Sequence, residues 1–335
     1  MKKIVSYILA ATVVLSMVAC AKNPDGIKGM QTESTGAGNQ QTTSATLSSE
    51  TVPGGTSGDS VTVPEQSVPQ QSESAPTLPS QTEPEPSLPD VGTNPGEFGQ
   101  IYTIDELKKM STKKTGYGPG TQVDDKNRPV GSISLQKKLG KYEAYFIAPD
   151  DGNLYLTFDE GYENGYTASI LDTLKEKNVK AVFFVTKAYC KSSPELVQRM
   201  VDEGHALGNH SVSHLSMPTL SIDKMVDEVM GLHEYVKEHF GYEMHLFRPP
   251  MGEYPVQSLA VLHNLGYKTV EWSFAYYDYD TKNQMEPAKA YDKVMGAAHS
   301  GGIFLLHAVS KTNAEILGDV IDGCRQKGLN LELFS

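Results

Sequence analysis

Asp159 and Glu160 stand in the run Thr157-Phe-Asp-Glu-Gly-Tyr162, His210 and His214 bracket His210-Ser-Val-Ser-His214, Arg248 precedes Pro249 and Pro250, and His307 follows Leu305 and Leu306. In that order they supply carboxylates, two imidazoles, an orienting cation and a proton donor, the set that metal-assisted hydrolysis needs. Neighbouring carboxylates point to opposite sides of an extended chain, but where a strand ends one can ligate a metal while the other faces a water. An isolated Asp-Glu pair is ordinarily a solvated acidic loop; the other three stretches are what lend this pair a chemical reading. Histidines four apart project to one face of a helical turn and offer two nitrogen ligands, with a carboxylate as the third and water in the open position. The two prolines fix the backbone and aim the guanidinium, whose planar fork can grip a carboxylate such as Asp159 and keep it ionised. His307 can protonate a leaving amine if a neighbouring carboxylate keeps its imidazole partly charged, and Asp278 is the candidate neighbour.

These residues need a scaffold that gathers them, and the chain has the pattern of one. From Asn153 onward short apolar strands alternate with amphipathic helices. Strands are expected at 154–158, 181–185, 206–209, 246–248, 269–272, 303–306 and 329–334, and helices at 167–176, 194–203, 222–240, 256–265, 288–299 and 314–327. Seven such repeats imply a parallel sheet, either curled into a barrel or open and doubly wound, and periodicity does not choose between them. Every polar motif falls at the C-terminal end of a strand, where both architectures build their sites. Residues 101–148 read as a mixed preface with short elements at 101–110 and 132–139.

The N-terminal part has another character. Lys2 and Lys3 precede an apolar run from Ile4 to Val18 that ends at Met17-Val-Ala-Cys20, the pattern of an export signal over residues 1–19. Residues 20–100 are rich in Ser, Thr, Gly, Pro, Gln and Glu and lack a hydrophobic period, so a disordered tether is expected. Between Ala21 and Gln100 stand ten acidic residues and two lysines, most of the chain's formal net charge of −12. The acidity therefore says little about the folded part. As a flexible coil of about 80 residues it would reach roughly 50 Å, a length suited to an enzyme held at a membrane and working on cell wall. An acidic tether argues against nucleic-acid binding. Cys190 and Cys324 lack the spacing of a metal knuckle, and two unpaired thiols are expected.

Together these stretches resemble the polysaccharide deacetylase domain of carbohydrate esterase family 4, the nodulation-type deacetylase homology fold. The resemblance implies an α/β fold, a distorted (β/α)7 barrel, over residues 149–335, with 101–148 as an extension packing on it. Thr157-Phe-Asp-Glu is similar to the family's Thr-Phe-Asp-Asp, which implies Asp159 as catalytic base and Glu160 as metal ligand with His210 and His214. Arg248 matches the arginine that positions the base. Leu306-His307 matches the motif that carries the acid, with Leu306 lining an acetyl pocket, and the Met251 N–H is implied as an oxyanion donor. The divalent metal implied is Zn2+, with Co2+ or Mn2+ as alternatives. The start of the chain resembles a bacterial lipoprotein signal, which implies a lipid on Cys20 and an extracytoplasmic protein whose contact with the membrane is that anchor.

Gly161-Tyr-Glu-Asn-Gly-Tyr-Thr167, with Tyr162 where chitin-type members usually have proline, and His307-Ala-Val-Ser-x-x-Asn-Ala-Glu315 resemble the branch that deacetylates N-acetylmuramic acid in peptidoglycan. Peptidoglycan glycan strands are thus the expected partner, Tyr162 a substrate-binding residue, and a monomer the expected state. The readings that compete are deacetylation of N-acetylglucosamine in peptidoglycan or chitin-type oligomers, and a wall-binding module without turnover. Two departures from the family stand out. Glu160 replaces aspartate, and in Trp272-Ser-Phe-Ala-Tyr-Tyr-Asp-Tyr279 the first acid of the usual motif is Ala275, which leaves Asp278 to tune His307.

Overall fold

A computed structural model of the chain describes residues 102–335; the expected signal 1–19, the lipidation position Cys20 and the tether 20–100 lie outside the described residues. The strands are β1 (Thr115–Gly116), β2 (Ala144–Tyr145), β3 (Asn153–Glu160), β4 (Val182–Val185), β5 (Ala206–Asn209), β6 (Leu246–Phe247), β7 (Glu253–Tyr254), β8 (Lys268–Val270), β9 (Phe274–Ala275), β10 (Gly302–His307) and β11 (Asn330–Leu331). Parallel pairing runs in the order β2-β8-β6-β5-β4-β3-β10-β9, with β11 beside the start of β3, and β1 and β7 form a separate antiparallel ribbon. This curled parallel sheet is the distorted (β/α)7 barrel, and its end strands β2 and β9 are not paired with each other in that order.

All seven expected strands form with shifted ends, the last reduced from 329–334 to Asn330–Leu331, and all six expected helices form. The longest helix, Ile222–Phe240, starts at Ser221, whose hydroxyl accepts from the Lys224 N–H, and stops at Gly241 in the left-handed region. Cap and stop signals in the sequence are obeyed there. A further helix, Lys187–Ser192, has six residues, too few for a hydrophobic period to reveal. In the preface, helix Ile104–Lys109 opens with a capping box between Thr103 and Glu106, and a second helix covers Val130–Leu139. Cys190 and Cys324 are buried and unpaired.

The strands are two-faced, and this sorts the core into two layers. Leu154, Leu156 and Phe158 of β3, with Phe183 and Val185 of β4, pack against the helices in the larger cluster. Val182 and Phe184, on the alternate positions of β4, join Ala148, Ala206, Leu246, Val270 and Ile303 inside the barrel. Phe334 fills that interior from the C-terminal tail, with Tyr145 and Tyr155 edge-on against its ring at 5.3 Å and 5.2 Å. The period of two along each strand therefore decides whether a residue meets the helices or the barrel axis.

Gly208 shares the inward face of β5 with Ala206. A Cβ placed there would sit 2.3 Å from a Phe184 ring carbon. The Phe184 ring in turn lies 4.1 Å below the guanidinium of Arg248. Gly208→Ala should therefore force that ring upward and destabilise the fold by about 1–3 kcal/mol, measured as a lower denaturant midpoint at unchanged slope.

Candidate active site

β3 carries Tyr155, Thr157 and Asp159 on its axis-facing side, so the last of these ends at the open top of the barrel. Arg248, just past β6, meets it there: Nη1 donates to Asp159 Oδ1 at 2.7 Å. The guanidinium is fully buried and its other donors are also used, Nε on the Val270 carbonyl at 3.0 Å and Nη2 on the Glu271 carbonyl at 3.1 Å. Burial alone would raise the Asp159 pKa, but the positive charge of Arg248 and the neighbouring His210 and His307 outweigh it, and the carboxyl is held below its ordinary value. Asp159 is thus an ionised carboxylate fixed in direction.

His210 and His214 meet, but not on a helical turn as their spacing suggested. Residues 210–214 form a bent loop in which Ser211 and His214 both have left-handed φ, 70° and 53°. The loop is pinned by side chains: Asn209 Oδ1 accepts from the Ser211 N–H, Ser211 Oγ accepts from the His214 N–H, and Glu228 accepts from the Ser213 N–H. His210 Nδ1 lies 2.9 Å from the Arg248 carbonyl, which can only accept, so that nitrogen carries the proton and Nε2 offers a lone pair. That Nε2 is 3.1 Å from His214 Nε2 and 3.6 Å from Asp159 Oδ2. Burial pushes the His210 pKa down to about 4 and lowers that of His214 as well. Two neutral imidazoles, one with its outer nitrogen fixed by a carbonyl, are the kind of donor a divalent transition metal takes. Among the described residues no group of three or more His, Cys, Asp and Glu side chains is arranged to hold a metal, so the fit is that of two nitrogens with Asp159 beside them.

Glu160, expected as the third metal ligand, does not join them. β3 does not end before it: Glu160 is paired with Val185 of β4, and strand alternation turns its side chain to the helix-facing side shared with Phe158. There its carboxylate oxygens are buried without a hydrogen-bond partner. Burial, then the charges of Glu163 and Asp159, push its pKa well above the ordinary carboxylate value. The same alternation corrects Leu306, expected to line the acetyl pocket. Leu306 belongs to the helix-facing core, and Leu305 lines the cleft instead.

His307 ends β10 in register with Asp159 on the neighbouring strand. Its Nδ1 is 2.7 Å from Asp278 Oδ1, and its backbone N–H donates to Asp278 Oδ2 at 2.9 Å. Asn313 Nδ2 donates to the same Oδ2 at 2.6 Å, so the buried carboxylate is fully engaged. Burial works against the charged imidazole, but the hydrogen bond and charge of Asp278, aided by Asp159, prevail and raise the His307 pKa. The flank opposite the low-pKa carboxylate is thus a high-pKa imidazole.

These groups line a cleft of about 810 Å³, a volume in the range of small-ligand sites. Tyr162 and Met251, both about half exposed, stand on its rim, and Met251 has a left-handed φ of 61°. Sequence reasoning missed part of its wall, including Trp272, Tyr276, Tyr279 and Val309. A signal for Trp272 was present, since it is the only tryptophan in the chain and opens the run Trp272–Tyr279 that carries Asp278. Gly252 permits its placement: a Cβ there would come within 2.6 Å of the Trp272 ring. Glu271 was also missed. Its carboxylate is buried without a hydrogen-bond partner, and burial pushes its pKa up to about 8 against the pull of Arg248.

A family model described as polysaccharide deacetylase matches residues 147–270. The chain is 41% identical over 202 residues to the peptidoglycan-N-acetylmuramic acid deacetylase PdaA of Bacillus subtilis, a match covering 60% of this chain and 77% of that protein. The solved structure of Bacillus subtilis PdaA, a family 4 carbohydrate esterase, superposes with a TM-score of 0.63 at 37% identity, over 66% of this chain and 95% of that one. A family 4 carbohydrate esterase from Bacillus anthracis gives a TM-score of 0.55 at 35% identity, over 67% and 95% of the two chains.

Glu271 yields a prediction independent of catalysis. Its folded pKa of about 8 exceeds the ordinary 4.5, so the folded protein keeps a proton that the unfolded chain releases, and stability falls as pH rises through that window. Glu271→Gln should raise the melting temperature at pH 8 and leave it unchanged at pH 4, as read by thermal unfolding at the two pH values.

Proposed function

Because the chain belongs to the polysaccharide deacetylases of carbohydrate esterase family 4, we propose that it hydrolyses the N-acetyl amide of N-acetylmuramic acid in peptidoglycan, releasing acetate, with the help of a divalent metal. The observation that carries the mechanism is the opposition of two ion pairs across adjacent strands. Asp159, held ionised by Arg248, and His307, whose charged form Asp278 favours, stand in register on β3 and β10 and face one cleft. Environments that push a carboxylate down and an imidazole up define a base and an acid.

Asp159 takes the proton of the attacking water, and Arg248 holds it ionised and aimed. Asp278 accepts a hydrogen bond from His307 Nδ1–H, which stays on the ring and leaves the Nε2 proton for the departing amine. The acetyl carbonyl becomes an oxyanion for which the Met251 N–H is the donor in this reading, on a backbone bent into the left-handed region. Tyr162 on the rim contacts the sugar. His210 and His214, neutral and with Nε2 atoms converging, would hold the cation, which is zinc, cobalt or manganese. Such an ion would supply Lewis-acid polarisation of a carbonyl and lower the pKa of water.

The choice of muramic acid rests on the similarity to PdaA, which bears that activity in its name, and on the Tyr162 and His307–Glu315 stretches already described. Peptidoglycan as substrate places the catalytic domain outside the cytoplasm. A lipid on Cys20, with the tether 20–100 as spacer, is the arrangement we propose for holding it to the membrane. Among the described residues no helix is long and apolar enough to cross one.

The decisive assay is acetate release from zinc-loaded protein on glycan strands with and without stem peptides, followed by mass spectrometry of the digested product. A free amine on muramic acid supports the proposal; a free amine on glucosamine alone overturns the substrate, and no acetate on any glycan overturns the activity. Asp159→Asn should lower kcat on the order of 10³-fold while circular dichroism shows the fold retained. Asp278→Asn should act through pH. The raised pKa of His307 keeps its acid form to higher pH, so loss of Asp278 lowers that pKa and shifts the alkaline limb of the kcat profile to lower pH.

A further inference from the structure

Three successive carbonyls at the end of β8 are each held by a side chain. Val270 and Glu271 accept from Arg248 Nε and Nη2, and Trp272 accepts from the hydroxyl of Tyr117 at 2.5 Å. Tyr117 lies ahead of the matched domain, which begins at residue 147. It is nevertheless built into the site. Its ring packs edge-on against Trp272 at 5.3 Å and Phe146 at 5.1 Å, and its hydroxyl also meets Ser132 Oγ at 2.8 Å.

The backbone around it is tied to the loop that carries Met251. β1 pairs antiparallel with β7, and the Tyr117 N–H donates to the Gly252 carbonyl at 2.9 Å. One residue before β1, Lys114 pairs with Glu253, whose second oxygen accepts from Ser216 Oγ, two residues beyond His214. Residues 114–117 therefore touch the loop that carries Met251 and the cleft's tryptophan directly, and reach the segment just past His214 through Glu253.

We propose that residues 114–117 are a positioning strap for the active site, with Tyr117 acting through the Trp272 carbonyl on the peptide run that orients Arg248 and, through it, Asp159. The strap rests on the deacetylase reading for its effect on catalysis, but not for its effect on Trp272. Loss of the Tyr117 hydroxyl leaves the Trp272 carbonyl without its phenolic donor, and the run 270–272 can then shift away from the geometry that Arg248 needs. Orientation errors of this kind lower the rate of the chemical step more than they weaken binding.

The only tryptophan of the chain is Trp272, so its fluorescence reports this wall without substrate. In the zinc-loaded full chain, Tyr117→Phe keeps the ring and removes the hydroxyl. We expect greater acrylamide quenching of Trp272, a fall in kcat of about fivefold to tenfold on peptide-free glycan strands with KM within about twofold, and a melting temperature within about 3 °C of the parent. Tyr117→Ala should deepen the first two effects. Unchanged quenching and unchanged kcat in Tyr117→Phe would overturn the strap, as would a loss of melting temperature with both of those intact. A parent protein that releases no acetate sinks the deacetylase reading instead, and the quenching comparison still decides whether Tyr117 holds Trp272.

Discussion

A guanidinium with no exposure to solvent sits at the top of the barrel, and its burial constrains everything around it. Arg248 has to be neutralised and each of its nitrogens given a partner, because an unpaired charge at such a depth costs several kcal/mol. Asp159 neutralises it, two carbonyls at and just past the end of β8 accept from its other two nitrogens, and the Phe184 ring lies against its face. The arrangement that makes the cation tolerable also fixes Asp159 as an ionised carboxylate of set direction. A stability requirement and a chemical one are met by the same contacts.

The parity of the strands then distributes the remaining roles. A parallel barrel presents alternate residues of each strand to its axis and to its helices, and this holds up to the last paired residue. Asp159 and His307 fall on the axis side of neighbouring strands, while Glu160 and Leu306 fall on the helix side. Two residues adjacent in a motif thus end up in different environments, one lining a cleft and the other in a packed layer. The two imidazoles escape this rule because they lie beyond β5, on a loop bent by left-handed residues and fixed by Asn209, Ser211 and Glu228.

The segment ahead of the matched domain adds a third level of support. It contributes the edge strand β2, the ribbon strand β1 and the Tyr117 hydroxyl that holds the Trp272 carbonyl. Arg248 and Tyr117 hold consecutive carbonyls of one peptide run, reaching it from two distant parts of the chain. The cleft is thus walled and supported by residues well outside the motifs that identify the family.

Much of this was legible in the amino-acid order. Alternating strand and helix patterns located the seven expected strands and the six expected helices, because hydrophobic period and helix stops are local properties, but not the two-residue strands β1, β2, β7 and β9, which are too short to show a period. The residue types at the strand ends named the chemistry, and Arg248 on Asp159 and Asp278 on His307 were anticipated as pairs. What the sequence by itself could not determine were the places where distance and direction decide: how far β3 continues past Asp159, which of Leu305 and Leu306 faces the cleft, how 210–214 bends, and where Tyr117, Trp272 and Glu271 lie. Strand ends and loop conformations are set by partners distant in the chain, Val185 beside Glu160 and Glu228 against Ser213, so only the folded structure brings them to bear.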